Sequence, residues 1–499
     1  MDAWKMLIGG EFTDAASGKT STVADPSTED SFATVPLGGR EDARRAIEAA
    51  RKAFDSGPWP RMAQKERIKR LLALVDGMKK RESELAAVES RQGGIPIRTT
   101  TLMDIPVGMD IFRAMVEASD FPRYEPLPWT DFPSVSWNFI NREPIGVCAG
   151  IVPWNFPFFF LMWKAPAALS MGNTFVFKPA SQTPLTALIF AEICAEADIP
   201  PGVFNVVTGP GATVGAELCE SPLVDKVSFT GSTATGREVQ KMTSGNIKRL
   251  TLELGGKSPI VVLDDAWLDI TADMVLWACY WRSGQACEAG TRLLLQEGIY
   301  DRFMERLLEK IKVIKVGPAD DFSTTVGPLI SARQRERVEY FIESGKEQGA
   351  RLLRGGGRTK RLDKGYFLEP TLFDNVGRDM KIFQEEIFGP VLSVTKFKTE
   401  SEAVELANDS IYGLAGSVHT SDVPKGIEIA KKIRAGRVWV NDHHMFNGEW
   451  PFGGYKQSGV GKDIGVYAMK EYTEEKHIYV DQIGDRRDKK FWIDYIISE

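Results

Sequence analysis

Histidine and cysteine are scarce in this chain of 499 residues, which holds four of the first and five of the second. His419, His443, His444 and His477 have no spacing that would gather metal ligands, so no metal site is expected. Cys148, Cys194, Cys219, Cys279 and Cys287 are odd in number and widely scattered, with no CxxC pair. That pattern argues against a disulfide framework or a structural zinc site and fits free thiols in a reducing cytoplasm. An excess of one charge is also lacking: 62 Lys and Arg face 68 Asp and Glu, a net −6 that leaves no footprint for nucleic acid. No long apolar run is present. The best stretch, residues 156–171, is broken by Pro157, Lys164 and Pro166 and is too short to span a bilayer. The opening MDAWKMLIGGEFTD has no basic start before an apolar core, so no signal peptide is expected. A chain of this length folds into roughly three domains with sizeable cores and needs no covalent staples. The expectation is a cytoplasmic, multi-domain enzyme with neither a membrane nor a nucleic-acid partner.

Patterning divides the chain. The first 120 residues read mostly as helices, with helical periodicity over 42–54 and 63–91. The Pro-rich stretch 121–133 reads as a connector. Residues 134–142 alternate, with Val135, Trp137 and Phe139 on one side, which predicts an exposed or paired strand. From Gly146 the text changes. Apolar runs at 147–152, 174–178, 203–208, 226–230, 250–254 and 260–263 are separated by helical segments, the grammar of parallel βαβ units with helices on both faces. Residues 264–456 alternate again and predict a second α/β domain, with strands at 291–296, 390–397 and 437–441. IYVDQI near 478 reads as a further strand, and the apolar tail FWIDYIIS needs a surface to pack on.

Several residues carry chemistry in this pattern. Gly209, Gly211 and Gly215 follow a strand and open a helix, one residue too long in the last gap for the dinucleotide fingerprint. Gly231 and Ser232 repeat the strand–glycine–helix grammar at a second turn, where free N–H groups suit a phosphate. Cys287 differs from the other cysteines: it lies between glycines in GQACEAG, in a segment small and polar enough to leave a thiol accessible. Glu253 ends a strand before two glycines, where an open α/β sheet holds its ligands. Its plain alternative is an exposed acid paired with Lys257. Asn155, in PWNFP, follows a buried strand; its plain alternative is to cap the next helix.

With these residues in place, the chain resembles the aldehyde dehydrogenase superfamily over nearly its full length. The matching stretches are PWNFP (153–157), KPA (178–180), FTGS (229–232), LELGGK (252–257), GQACEAG (284–290), EEIFGPV (385–391) and PFGGYKQSGVG (451–461), in the family's order. The resemblance implies a Rossmann-like NAD(P)-binding domain at 1–121 and 145–256, an α/β catalytic domain at 257–465, and a small β arm at 122–144 and 466–499 that builds a homodimer or homotetramer. It implies a hydrolytic oxidation of an aldehyde to the acid through a cysteine thiohemiacetal and thioester. Cys287 matches the nucleophile and Glu253 the general base. Asn155 and the Cys287 N–H match the oxyanion donors. Lys178 and Glu386 match groups on the cofactor riboses, and Phe388 sits against the nicotinamide. Ile151, Pro153, Trp154, Gly211, Phe229, Gly231, Ser232 and Leu254 fall at the remaining cofactor positions. Asp463 falls where the family has Glu in a proton path with Lys178.

Ser181 stands where many NAD-preferring relatives carry an acid, so acceptance of NADP+ as well as NAD+ is expected. The pocket positions by the same resemblance are Phe156, Phe159, Phe160, Trp163, Trp281, Phe446 and Phe452, all aromatic. Relatives that oxidise succinate semialdehyde have arginines at the positions of Trp163 and Trp281, which turns the expectation to a bulky apolar or aromatic aldehyde. A quaternary ammonium aldehyde, held by cation–π contact, or an amino aldehyde is the alternative. A CoA-acylating enzyme would lack the acid at Glu253, and a non-catalytic structural relative would have lost Cys287, Asn155 or Lys178.

Overall fold

A computed structural model describes residues 2–121, 123–131, 135–482, 484 and 495–497. Among them lie two large sheets and two small ones. The first large sheet has eight strands, in the spatial order Gly459–Val460, Arg249–Glu253, Lys226–Thr230, Val147–Ile151, Thr174–Lys178, Phe204–Val206, Met6–Ile8 and Glu11–Thr13. Its five central strands are parallel. Val147–Ile151 is first of these in the chain. The next two strands are laid on one side of it and the following two on the other, so a topological switch lies between Val147–Ile151 and Lys226–Thr230. Open α/β sheets bind ligands in the crevice outside the strand ends at such a point. The register sets the residues of that crevice side by side: Ile151 opposite Lys178, Phe229 opposite Ile151, and Glu253 opposite Thr230.

The second large sheet has seven strands, with Gly290–Gln296 and Ser258–Val262 at its centre and Ala415–His419 and Arg437–Val440 toward one edge. The run at 260–263 reads in sequence as the last strand of the first series. It belongs instead to this second sheet, because the two glycines after Leu254 turn the chain across. The C-terminal part returns the favour: Gly459–Val460 pairs with Arg249–Glu253. The two sheets are thereby stitched on both sides of one cleft.

Three other expectations need correction, while the paired strand expected over 134–142 is present. Residues 2–36 form five short strands rather than helix. The helix over 63–91 is two, Gln64–Lys80 and Glu82–Gly93, broken where Arg81 leaves helical geometry. The connector at 121–133 contains the strand Tyr124–Thr130, whose prolines are tolerated because it is a sheet edge. The strand Ser136–Pro144 is paired on both sides, by Tyr124–Thr130 and Thr473–Asp481, and it buries Ser136, Asn138 and Arg142 while Trp137 is exposed. The tail FWIDYIIS falls largely outside the described residues. No helix among the described residues is long and apolar enough to cross a membrane.

Candidate active site

The side of the cleft where the resemblance puts the cofactor is built from strand ends and turns. Lys178 ends its strand with a buried ammonium that donates to the Pro179 carbonyl at 3.0 Å, and burial lowers its pKa to about 8. Gly215 passes close over it: a Cβ there would lie 3.7 Å from Lys178 and 3.9 Å from Ile151. Ser181 is exposed and donates to the Gly209 carbonyl at 3.1 Å. Ser232 caps the helix Thr233–Met242 by accepting from the Thr235 N–H at 3.2 Å, so the positive end of that helix opens beside Gly231. Gly231 has no room for a side chain, because a Cβ would meet the Phe229 ring at 2.5 Å. Gly255 does the same for Glu386, whose carboxylate would be 2.3 Å from a Cβ there and accepts from the Gly256 N–H at 3.0 Å. Burial raises Glu386 to about 7. Phe388 takes a positive φ of 63° and meets Trp154 edge-on at 5.4 Å. Leu254 packs under Gly236, and Pro153 and Trp154 are half-buried at the mouth.

The other side is an aromatic pocket lined by Phe156, Phe159, Phe160, Trp163, Phe446, Cys287 and Glu288. Trp281 and Phe452 do not line it. They stand behind it, Trp281 at 5.3 Å from the Phe156 ring and Phe452 at 5.3 Å from Trp163. Cys287 is the one cysteine that is not fully buried. Its pKa is held well above the usual thiol range, first by burial and then by the Glu288 carboxylate.

The loop that delivers Cys287 is strained. Arg282, Ser283 and Gly284 are consecutive left-handed residues, at φ 53°, 59° and 70°. For the first two this costs on the order of 1–2 kcal/mol each, so the surroundings must hold them. Arg282 does so with a buried ion pair to Asp104 at 2.5 Å, a hydrogen bond to the Asn155 carbonyl and a cation–π contact on Phe156 at 4.0 Å. Asn155 closes the loop from the other end: its Nδ2 donates to the Gln285 carbonyl at 2.9 Å. One amide hydrogen is thus fixed and the second remains for an oxygen above Cys287. The Cys287 N–H makes no hydrogen bond among the described residues. Asn155 does not cap the following helix.

Glu253 is 2% exposed, and neither carboxylate oxygen has a hydrogen-bond partner among the described residues. Burial, then the nearby Asp463, raises its pKa well above the carboxylate range. The exposed pair with Lys257 is absent: Lys257 is buried too, its ammonium also has no partner among the described residues, and burial lowers its pKa to about 7.

The family profile of the aldehyde dehydrogenases matches residues 12–478. The chain belongs to the aldehyde dehydrogenase family. It is 43% identical over 484 residues to a betaine aldehyde dehydrogenase of Bacillus subtilis, covering 95% of this chain and 96% of that one. An NAD-dependent aldehyde dehydrogenase of Sinorhizobium meliloti superposes with a TM-score of 0.94 at 40% identity, over 96% of this chain and 95% of that one. A betaine aldehyde dehydrogenase of Staphylococcus aureus, solved with NAD+, gives 0.94 at 38% identity, over 96% and 95% of the two chains. The protein is an enzyme that oxidises an aldehyde to the carboxylic acid, with NAD+ or NADP+ as hydride acceptor.

Against this aldehyde dehydrogenase frame, one expected partnership is wrong. Asp463 does not meet Lys178. It forms a buried ion pair with Lys164 at 2.5 Å, and Lys164 also donates to Ser228 at 2.7 Å. Lys164 is the only charge in the helix Pro157–Ser170, every residue of which is buried. A lone ammonium in a wholly buried apolar helix is costly unless it is paired or hydrogen-bonded, and that was the available signal. Sequence reasoning also missed Glu288, His444 and Arg282. Arg282 leaves no sequence trace, because its role depends on a left-handed turn.

Proposed function

We propose that Cys287 is the nucleophile of this aldehyde dehydrogenase. The observation that carries the reading is that one thiol of five lines the aromatic pocket while the others are sealed in the core. In this reading Sγ attacks the aldehyde carbon. The oxyanion that forms takes hydrogen bonds from Asn155 Nδ2 and the Cys287 N–H; loss of one such donor typically costs about 2.7–4 kcal/mol. Collapse of the thiohemiacetal expels hydride and leaves a thioester on Cys287. Glu253, with unengaged oxygens and a raised pKa, is suited to take a proton from the water that attacks the thioester.

The switch-point crevice, the Gly231 turn and the uncovered helix end at Ser232 fit a dinucleotide. When bound, it supplies a nicotinamide that accepts the hydride. Lys178 and Glu386 would hold its riboses, and Ile151, Pro153, Trp154, Gly211, Phe229, Leu254 and Phe388 would line its path. The neutral Ser181 at the rim supports use of NADP+ beside NAD+.

Five rings around the thiol support a bulky apolar or aromatic aldehyde as substrate. A quaternary ammonium aldehyde is the second reading, favoured by the same rings and by the betaine aldehyde dehydrogenases among the relatives. The two large sheets support a division into a cofactor domain (1–121 and 145–256), a catalytic domain (257–465) and an arm (122–144 and 466–499), with Gly459–Val460 crossing back to the first sheet. Exposed Tyr124, Trp129 and Trp137 on the three-stranded sheet support assembly through the arm into a homodimer or homotetramer. Five free thiols support a cytoplasmic setting. A panel of benzaldehydes, long-chain aldehydes and betaine aldehyde, each with NAD+ and NADP+ and read by reduced-cofactor absorbance, tests these readings together. A preference for short or acidic aldehydes would overturn the pocket assignment.

A further inference from the structure

Cys287 has a second acid beside it that the reaction as described leaves idle. Its thiol donates to Glu288 Oε2 at 3.0 Å. The other oxygen of the same carboxylate, Oε1, faces His444 Nδ1 at 3.0 Å, and His444 Nε2 faces the Ala278 carbonyl, also at 3.0 Å. Both Glu288 and His444 are about 1% exposed. The backbone of Glu288 is pinned as well: His443 Nε2 lies 3.0 Å from its carbonyl, and His443 Nδ1 lies 3.1 Å from the Ser417 hydroxyl.

The hydrogen bonds fix the proton inventory. A carbonyl only accepts, so His444 Nε2 carries a hydrogen. The contact between Nδ1 and Oε1 then needs one more proton, shared between imidazole and carboxyl. A further proton sits on Sγ and points at Oε2. The Glu288–His444 pair is therefore a carboxylate beside an imidazolium, or its neutral tautomer, in direct line with the thiol. Burial alone would raise Glu288, yet His444 and Cys287 together hold its pKa below the usual carboxylate range. His443, by contrast, is kept neutral by burial. The other charged groups that face this thiol and its pair are Glu386 and Glu253, which act on Cys287, and Arg437, which acts on Glu288. Glu253 has no hydrogen bond to the thiol.

We propose that Glu288, positioned by His444, is the base that takes the proton of Cys287 during attack, leaving Glu253 to the hydrolytic step. This rests on the reading of Cys287 as nucleophile. The step balances. The proton moves from Sγ to Oε2 as the C–S bond forms and the carbonyl pair moves to oxygen. When water later displaces Sγ from the thioester, the C–S bond breaks and Glu288 returns the same proton to sulfur. The Nδ1 proton of His444 stays in place throughout and offsets the charge of the thiolate. Glu288 is thus a catalytic residue, and His444 a positioning residue.

The test is the pH profile of Cys287 alkylation by iodoacetamide on the full-length protein, with the labelled residue located by peptide mass spectrometry. An internal transfer makes the wild-type rate nearly flat from pH 6 to pH 9, because the proton stays inside the pair. Glu288→Gln removes the acceptor, so its rate should climb about tenfold per pH unit, as for an ordinary thiol below its pKa. The burst of reduced cofactor should slow by roughly 100-fold at pH 7 in the same variant and recover as pH rises. Should Glu288→Gln fail to fold, His444→Gln keeps a donor to Oε1 but no ionisable proton; it should steepen the same profile and slow the burst with KM unchanged. A profile and burst rate equal to wild type in whichever variant folds would overturn the proposal. Label on a residue other than Cys287 would sink the nucleophile reading itself, a separate result.

Discussion

The two walls of the cleft are made differently. The wall proposed to hold the cofactor is mainly backbone: parallel strand ends, glycine turns and one helix terminus, with Lys178, Ile151 and Phe229 set in a row by strand register and Glu253 one residue beyond it. The substrate wall is mainly side chain. Its members come from the helix Pro157–Ser170 and the residue before it, the loop that follows the left-handed turn at 282–284, and the loop after Arg437–Val440. A backbone wall recognises a ligand common to many enzymes, since turns are indifferent to most side-chain changes. A side-chain wall can change substrate without moving a strand. The contrast also divides the electrostatics. Lys178, buried, and Glu386, half-buried, each have one backbone hydrogen bond and no ion-pair partner among the described residues. On the substrate wall Arg282 is paired with Asp104 and Glu288 with His444, on either side of the loop that carries Cys287.

Mutations that separate the walls give the largest effects. Cys287→Ala should abolish reduced-cofactor formation while leaving the dissociation constant for NAD+ unchanged by fluorescence titration. Turnover in a folded variant would refute the nucleophile assignment, and replacement of Cys148, Cys194, Cys219 or Cys279 should cause no comparable loss. Glu253→Gln should slow thioester hydrolysis by about 10²–10⁴-fold, visible as a burst near one equivalent per active subunit followed by slow turnover. A missing burst with slow hydride transfer would move Glu253 to thiol activation and against the division of labour with Glu288. Asn155→Ala should lower kcat by roughly 10²–10³-fold, since it deletes one oxyanion donor. It should also loosen the Gln285 contact, so limited proteolysis near 282–288 is a second readout.

The smallest effect is on the cofactor wall. Ser181→Glu puts a carboxylate at an exposed rim position, so screening limits the repulsion, and NADP+ should bind roughly tenfold weaker while NAD+ changes little. Equal changes for both cofactors would leave Lys178 as the sole determinant. That result would also mean that Ser181, which donates to the Gly209 carbonyl, serves the turn rather than the ligand.

Much of the site was readable because its residues sit at strand ends flanked by glycines. Glu253 and Gly231 announce themselves that way, Cys287 by lying between glycines, and Lys178 only through the KPA stretch of the resemblance. Asp463 was readable as important but not as to its partner. Lys164 and Lys178 both end up buried, as do Lys226 and Lys257, and only helix packing decides which one reaches it. Trp281 and Phe452 illustrate the same limit, since a ring can belong to a pocket motif and still stand one layer back. The strands at 2–36 were missed because they are two to six residues long and gain their stability from pairing, not from local preference. The strand at 258–262 was found but placed in the wrong sheet, because an apolar run carries no mark of its neighbours.

The amino-acid sequence determined the parallel α/β grammar, the family, the strand–glycine–helix turns and the one thiol set apart from the rest. These are short-range properties: periodicity, glycine placement and the order of motifs. Tertiary structure alone decided that the chain crosses between two sheets after Leu254, that Lys164 and not Lys178 neutralises Asp463, and that His444, 157 residues after Cys287, completes a proton-sharing pair beside the thiol. Such contacts join side chains remote in sequence. Each is enforced by the cost of burying a charge without its partner, a cost that exists only once the fold has closed around it.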